Sequence, residues 1–341
     1  MRDPGMNDVI KTSRDIIIDS LYRWGLHRIF KYDRSKLGYI LAFHRIMSAG
    51  KRRILDSNRL LEVTTQRFEQ IIDFFISHNY EFISIDQLYR QLLNNTNWNR
   101  FVLLTFDDGY KDTYDNAFPI LQQHHIPFTL YLTTSYPNNT FLHWRLLLDD
   151  YIQTTEVIEI LHQSRVMRYR TYTQMEKAFA CDQIVQMVQT SSPDSRVDLL
   201  TSVFHRSIDD IAAYSRSISI SWEEIVKMSE TTLVTIGAHS VNHPQFSQIS
   251  TDQIKFEILQ SIKEIETRLH RKVEHFAYPY GGTTEIGFRE CETAKGCHLK
   301  TSVTTCPRYV SAECSEKLEC LPRVVVSEQT NLQKLDLKLR L

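Results

Sequence analysis

The sequence predicts an α/β protein built from parallel βα units, and three observations support this prediction. Strand-like apolar runs alternate with helical patterns along most of the 341 residues, which is typical of parallel sheets. The hydrophobic content of 42% is enough to bury one large core. Polar residues able to do chemistry follow directly after several strand-like runs, where the functional loops of such folds lie.

The first part of the chain supplies three predicted strands. Its elements are, in order, a strand at 37–46, a helix at 64–75, a strand at 101–106, a helix at 112–125 and a strand at 127–134. The helix at 64–75 is indicated by apolar residues at 68, 71, 72 and 75, which share one helical face. Thr64 or Thr65 precedes this face and is expected to cap the helix.

Residues 136–220 interrupt the alternation. Their pattern is polar and mostly helical, with a Ser-Ser-Pro-Asp break at 191–194, and we interpret them as a helical insertion. The elements after it are a helix at 221–230, a strand at 233–240, a helix after Ser250, and strands within 275–282, 299–305 and 321–326. Ser250 followed by Gln253 is the pattern of a capping box.

Basic residues are concentrated at the N-terminus. Residues 1–60 carry 13 Lys and Arg against 6 Asp, a net charge of +7, whereas the formal charge of the whole chain is −1. Residues 8–30 interleave apolar and basic side chains, without an apolar stretch long enough for a signal peptide or a membrane span. This segment is either a helix packed on the protein's own core or an amphipathic helix on an anionic membrane surface.

The membrane interpretation divides this segment into two sets of side chains. Lys11, Arg14, Arg23 and Arg28 would meet headgroups, while Ile17, Leu21 and Trp24 would enter the interface. Since no export is predicted, the protein is expected in the cytoplasm, at the inner face of the membrane if this segment binds lipid. Nucleic-acid binding is not expected, because the remainder of the chain is acidic and the basic portion has no recognised motif.

Six cysteines occur, at 181, 291, 297, 306, 314 and 320. Their spacing contains no Cys-x-x-Cys pair and fits neither a zinc ribbon nor a redox motif. Without a predicted export signal, we expect them to be reduced and to serve packing.

Two adjacent carboxylates, Asp107 and Asp108, follow the apolar strand at 101–106. Asp-Asp-Gly is ordinary turn chemistry, in which Gly109 supplies a positive φ. Like charges side by side nevertheless disfavour ionisation unless a cation lies nearby, and a metal ion, an arginine or water would each relieve the repulsion. If one aspartate binds a cation, the other can remain ionised beside it and need not perform the same task.

Two imidazoles follow another predicted strand. His239 ends the run at 233–240, and His243 lies four residues later. Two imidazoles and a carboxylate suit a divalent metal, although a solitary His-x-x-x-His is often only a loop feature. It is not the helical motif of zinc proteases, because no Glu follows the first His and Pro244 disfavours helical geometry at His243.

Three phrases in combination resemble the polysaccharide deacetylase family, also called NodB-homology or carbohydrate esterase family 4. They are TFDDG at 105–109, HSVNH at 239–243 and FAYPYG at 276–281. The resemblance runs over about 37–326, and AFHRI at 42–46 is similar to the poly-N-acetylglucosamine deacetylase branch. It implies a distorted (β/α) barrel of about seven parallel strands at 37–326, with the insertion at about 136–220, an N-terminal segment at 1–36 and a tail at 327–341.

The resemblance also implies roles for individual residues. Asp108, His239 and His243 match the metal ligands and Asp107 the general base, and Tyr280 matches the residue whose backbone N–H stabilises the oxyanion. The expected metal is Zn²⁺, with Co²⁺, Ni²⁺ or Mn²⁺ as alternatives. Chemistry supports this set, because a metal lowers the pKa of water to about 7 and a carboxylate can then remove the proton.

The chain departs from the family pattern at the general acid. The late Leu-x-His phrase of many members is missing, and His44 instead matches the early histidine proposed as the acid in the poly-N-acetylglucosamine branch. A core histidine without a catalytic role is the alternative for His44.

A second departure is Tyr278, where many members have an arginine that contacts the base. Arg323, on another predicted strand, is a candidate to supply that charge. We therefore expect Arg323→Ala to lower turnover with metal content retained. Unchanged turnover in Arg323→Ala would remove Arg323 from the mechanism.

The predicted function is metal-dependent removal of the N-acetyl group from an amino sugar in a glycan or a lipid-linked glycan precursor. His143 and Trp144, which open the insertion, are weaker candidates to line a sugar groove, since aromatic residues at helical spacing often belong to a core. Two alternatives remain: a non-catalytic glycan-binding relative of the same barrel, and an iron oxygenase site of two His and one carboxylate. The alternating βα pattern speaks against the oxygenase.

Overall fold

A computed structural model describes residues 13–49, 53–94, 99–162 and 165–341. The strands in this part of the chain are β1 (Lys36–Phe43), β2 (Arg45–Met47), β3 (Glu62–Thr64), β4 (Glu81–Phe82), β5 (Phe101–Phe106), β6 (Phe128–Leu132), β7 (Val157–His162), β8 (Arg165–Arg170), β9 (Val234–Ala238), β10 (His275–Ala277), β11 (Thr301–Val303), β12 (Val310–Ser311) and β13 (Val324–Val325).

The α-helices alternate with these strands over most of the described chain. They are α1 (Ser13–Arg23), α2 (Asp56–Arg59), α3 (Thr65–Ser77), α4 (Ile85–Asn94), α5 (Phe118–Gln123), α6 (Trp144–Thr154), α7 (Gln174–Thr190), α8 (Pro193–Phe204), α9 (Ile208–Ile218), α10 (Trp222–Ser229), α11 (Thr251–Leu269), α12 (Phe288–Lys295) and α13 (Leu332–Lys338). The helix predicted at 112–125 begins with a π-helical turn, Thr113–Ala117, before α5.

A curled, mostly parallel sheet forms the centre of the fold. Its strand order is β11-β10-β9-β6-β5-β1-β12, with β13 added beside β1 and β4 beside β5. Among these pairings β12 is antiparallel to β1, and the others are parallel. The predicted fold class, a distorted (β/α) barrel of about seven strands, is confirmed. Since parallel strands end at one edge, the residues after β1, β5, β9 and β10 meet there.

Two helices show how the sequence specifies this core. The four apolar residues predicted for the face of α3 are fully buried, and the Thr64 hydroxyl caps the helix by accepting from the N–H of Arg67. Each such side chain contributes about 1.5–3 kcal/mol through burial. The capping box predicted for α11 is also present, with the Ser250 hydroxyl accepting from the Gln253 N–H and the Gln253 side chain accepting from the Ser250 N–H.

The insertion has a core of its own, formed by α6, α7, α8, α9 and one face of β7. Its helices agree with the predicted helical pattern, but the antiparallel hairpin of β7 and β8 was not predicted. The reason lies in β8, which reads RVMRYR and buries none of its six residues fully, so that no apolar alternation marks it as a strand. Pairing with β7, and not the strand propensity of its own residues, therefore makes this segment a strand.

A disulfide joins Cys291 on α12 to Cys320, the last residue of a short 3₁₀ turn, Leu318–Cys320. The expectation that all six cysteines are reduced is therefore wrong for these two, because the fold brings positions 29 residues apart to within 6.4 Å at their Cα atoms. Cys181, Cys297, Cys306 and Cys314 are free. Cys181, Cys297 and Cys314 pack in the cores, as expected.

The N-terminal segment contains α1, which packs against α13 at the other end of the chain. Ile18 is buried in this contact region, whereas Ile17 and Trp24 are exposed. Lys11 lies outside the described residues, as does the side chain of Arg14. None of the helices in the described ranges is long and apolar enough to span a bilayer.

Candidate metal and catalytic site

Asp107 lies directly after β5 and is held by a buried arginine. Both terminal guanidinium nitrogens of Arg323 donate to its carboxylate, Nη1 to Oδ1 at 2.6 Å and Nη2 to Oδ2 at 2.7 Å. Arg323 is itself fixed by donating from Nε to the carbonyl of Thr304 and from Nη1 to the hydroxyl of Thr105. Asp107 and Arg323 are both buried, so this is a desolvated bidentate ion pair with further hydrogen bonds.

Asp108 points away from this pair, toward two imidazoles. Its Oδ1 lies 3.4 Å from Nε2 of His239 and 3.3 Å from Nε2 of His243. The turn that separates the two aspartates has φ of 74° at Asp108 and 105° at Gly109. Gly109 therefore has the positive φ that the sequence predicted.

The residues of this group fit a metal ion. One ligand atom each from Asp108, His239 and His243 lies within 4.8 Å of the others. Oδ1 of Asp108 is buried and has no hydrogen-bond partner among the described residues, and a cation would satisfy it. Nδ1 of His239 lies 2.7 Å from the carbonyl of Ala277, so it carries the proton and leaves Nε2 as the free donor atom.

The pKa values in this site follow from burial and from the neighbouring charges. Burial alone would raise the pKa of both aspartates, but Arg323 and His239 lower that of Asp107, and His243 and His239 lower that of Asp108. Burial lowers the pKa of His243 to about 4. At neutral pH the site therefore holds two carboxylates and a neutral imidazole at His243. Burial opposes protonation of His239, but Asp107 and Asp108 raise its pKa, so a metal would replace a proton at that ligand.

His44 lies at the same edge of the sheet, one residue after β1. Phe43 is paired with Phe106, and the Asp107 N–H donates to the Phe43 carbonyl, so His44 and Asp107 leave their strands side by side. Its Nδ1 is buried without a hydrogen-bond partner among the described residues. Burial lowers the pKa of His44, against the opposing charges of Asp108 and Asp107.

Tyr280 and Tyr278 follow β10 and differ in position. Tyr280 has φ of 62°, its side chain is exposed, and its ring lies 5.0 Å from that of His243. Its side chain therefore lies beside the metal group, and the role of its backbone N–H stays a prediction. Tyr278 is fully buried and donates to the Glu319 carbonyl, so the position that departs from the family pattern belongs to the core.

Glu257 is a positioning residue that the sequence analysis missed. From α11 it accepts hydrogen bonds from the N–H groups of Val241 and Asn242, which connect the two histidines. It also accepts from the side-chain amide of Asn242 at 2.8 Å. The available signal was a carboxylate on the same helical face as Ile254, Ile258 and Ile265, which is the buried face of α11.

The insertion does not offer its two aromatic candidates as an open groove. His143 is buried, with Nε2 3.0 Å from the Ser219 hydroxyl and its ring against Tyr136. Trp144 packs half-buried on the core of the insertion. His143 is therefore packed among aromatic rings and closed to solvent, and its contact with a sugar stays a prediction.

Comparison with known proteins agrees with this geometry. The sequence profile of the family described as polysaccharide deacetylase matches residues 94–292. A poly-beta-1,6-N-acetyl-D-glucosamine N-deacetylase of Staphylococcus epidermidis is 33% identical over 81 residues, which cover 24% of this chain and 28% of that relative's length.

Two solved structures share the fold over most of the chain. The Streptococcus pyogenes deacetylase PplD, solved with acetate, has a TM-score of 0.57 at 18% identity, covering 91% of this chain and 100% of its own. IcaB from Ammonifex degensii has a TM-score of 0.56 at 15% identity, covering 91% of this chain and 99% of its own. At these identities the two structures support the fold alone.

Proposed function

Because this chain belongs to the polysaccharide deacetylase family, we propose that it hydrolyses the N-acetyl group of an amino sugar, within a glycan or a lipid-linked glycan precursor. One observation carries the proposal: a carboxylate and two imidazoles lie within 4.8 Å of one another, beside a second carboxylate held by a buried arginine. The poly-N-acetylglucosamine deacetylase that is similar over 81 residues supports this substrate class.

Asp108, His239 and His243 would hold the metal, with Zn²⁺ as the proposed ion and Co²⁺, Ni²⁺ or Mn²⁺ as alternatives. Such an ion, when bound, polarises the acetamide carbonyl and lowers the pKa of water to about 7. Imidazole nitrogen and carboxylate oxygen are the ligands that Zn²⁺ accepts in catalytic sites, which leave one position open. Glu257 contributes by fixing the loop that sets the spacing of the two imidazoles.

The proposed proton acceptor is Asp107. The ion pair with Arg323 keeps this carboxylate ionised and fixes its orientation, so that it removes a proton from the attacking water. The backbone N–H of Tyr280 is proposed to donate to the oxyanion that forms at the acetyl carbon. Arg323 acts through Asp107 and is a positioning residue.

His44 is the proposed acid that protonates the leaving amine. The acid must start protonated, and burial lowers its pKa from the ordinary value of 6.5. We therefore expect kcat/KM to fall as the pH rises through this lowered pKa, and we expect His44→Gln to lose this limb together with about 10²–10⁴-fold of the rate. A pH profile of acetate release measures both, with His124→Gln on the surface as control. An unchanged profile in His44→Gln would remove His44 from the mechanism.

Mass spectrometry tests the activity itself. Free and lipid-linked N-acetylated oligosaccharides are incubated with the protein and Zn²⁺. We expect the mass of the oligosaccharide to fall by C₂H₂O for each acetyl group removed. Chelation should abolish the loss and added Zn²⁺ should restore it, because the proposed hydrolysis depends on the ion. Binding of the oligosaccharides without mass loss would favour the non-catalytic alternative. Mass loss that survives complete chelation would contradict the metal mechanism.

Membrane contact of the N-terminal segment and the cellular location of the protein are also proposals. Contact of the N-terminal segment with a bilayer would suit a lipid-linked substrate, and Ile17 and Trp24 are exposed for it. The cytoplasmic location is a prediction that the Cys291–Cys320 disulfide weighs against, because structural disulfides are typical of oxidising compartments.

A further inference from the structure

A second cleft lies where the two ends of the described chain meet. Its volume is about 590 Å³, and it is bounded by α1, the 3₁₀ turn after α1, the end of α3, and α13. It shares no lining residue with the Asp108, His239 and His243 group. A ligand here would therefore contact none of the three proposed metal ligands.

The walls of this cleft are positively charged. Arg23, Arg28, Arg100 and Arg340 line it, together with His27 and His78, and Asp19 is the acidic residue of the lining. Asp336 lies buried beneath, within hydrogen-bonding distance of Arg340. Four guanidinium groups against two carboxylates leave an excess of two positive charges before either histidine is protonated.

Part of this charge is used by the protein itself. Asp336 accepts from the hydroxyls of Tyr22, Tyr32 and Tyr80 as well as from Arg340. Arg340 also donates to the carbonyl of Phe30 and to Tyr32. These groups form a closed network beneath the cleft, so Arg340 has little capacity left for a ligand.

Other groups in the lining lack partners. Three buried polar atoms have no hydrogen-bond partner among the described residues: Nδ1 of His27, Nη1 of Arg100 and Oε1 of Gln333. His27 is only 6% exposed, and Arg100 stacks on Tyr32 with its Nη1 still 4.0 Å from Asp336. Buried polar groups are rarely left unsatisfied. Donors at His27 and Arg100 with an acceptor at Gln333 would suit an anion that also carries a hydroxyl.

Apolar residues next to Arg23 and Arg28 in the chain are exposed. Trp24 is 75% and Ile29 72% exposed, and Leu26 and Phe30 are exposed next to them in the same turn. Exposed aromatic and aliphatic side chains beside arginines are the composition of a surface that enters a lipid interface. The cleft thus offers hydrogen-bond donors for an anion. The chain next to Arg23 and Arg28 offers exposed apolar side chains for hydrocarbon.

We propose that this cleft binds the phosphate of an anionic lipid headgroup, with Arg23, Arg28, Arg100 and His27 as donors and Trp24 and Ile29 entering the bilayer surface. Binding of this headgroup would be the chemical basis of the membrane contact proposed above. It does not depend on the deacetylation chemistry, because the two sites share no residue.

Vesicle flotation and titration with a soluble headgroup analogue test the proposal. The probes are glycerol 1-phosphate, vesicles of phosphatidylcholine alone, and vesicles that also contain phosphatidylglycerol. Arg23→Gln/Arg28→Gln removes two exposed charges of the cleft, and Arg206→Gln/Arg216→Gln removes two exposed charges from the insertion as a matched control. We expect the first pair to weaken binding to phosphatidylglycerol vesicles about 30-fold, since each arginine at an anionic surface contributes about one kcal/mol, and the control pair to leave it unchanged.

Three results would overturn the proposal. They are no binding to phosphatidylglycerol vesicles at low salt, equal weakening by the two variant pairs, and binding of glycerol 1-phosphate without binding of vesicles, which would exclude the lipid as its source. Acetate release from free oligosaccharides is measured in parallel. We expect Arg23→Gln/Arg28→Gln to retain it, so a failed lipid assay and a failed deacetylase assay are distinguishable.

Discussion

Asp107→Asn is expected to lower kcat for acetate release by about 10²–10⁴-fold, the usual contribution of a general base, while zinc content is retained. Asparagine keeps the shape of the side chain but cannot accept the proton, and Asp108, His239 and His243 remain to hold the ion. Rates and zinc stoichiometry are measured on the same preparation. Asp115→Asn, an exposed change eight residues later, is the matched control. Full activity in Asp107→Asn would contradict the assignment.

The same substitution is expected to destabilise the protein, and a second variant separates the two effects. Neutralising Asp107 leaves the buried Arg323 unpaired, which costs about 3–5 kcal/mol of unfolding free energy. Asp107→Asn/Arg323→Gln should recover much of this stability without recovering activity. Because the pKa of Asp107 is lowered in the folded state, the stabilisation is present above about pH 4 and is lost as the pH falls below it.

His243→Ala should abolish both zinc binding and acetate release. His243 supplies one of three ligand atoms, and changes even to outer-shell partners of a metal site cost about 10–100-fold in affinity, so a larger loss is expected here. His243 is the most exposed of the three ligand side chains, which makes misfolding of the variant less of a concern. Zinc affinity is measured by competition with a chelating dye, beside the exposed control His124→Ala. Equal zinc affinity in both variants would remove His243 from the metal site.

Much of the fold could be predicted from local patterns in the sequence. The strand at 101–106 is a continuous apolar run that is fully buried, and the helices α3 and α11 each combine an apolar period with a cap. Their local preferences therefore agree with their packing. The convergence of Asp108, His239 and His243 could be anticipated because parallel strands end at one edge of a sheet. The separate directions of the two aspartates depend on the turn at Gly109, which the Asp-Asp-Gly phrase also indicated.

The features that escaped prediction depend on contacts between distant residues. β8 has no apolar face and is a strand only because β7 pairs with it. The disulfide depends on the distance between α12 and a turn 29 residues later, and cysteine spacing alone does not determine pairing. The cleft near α1 is formed by residues from both ends of the chain, such as Tyr22 with Asp336, and no local pattern relates them.

Anomalous diffraction at the zinc edge, from crystals grown with Zn²⁺, tests the metal site most directly. We expect one strong peak about 2.0–2.2 Å from Oδ1 of Asp108 and from Nε2 of His239 and His243, with the Asp107 carboxylate still paired to Arg323. A peak held by other side chains, or no peak among these three residues at saturating zinc, would contradict it.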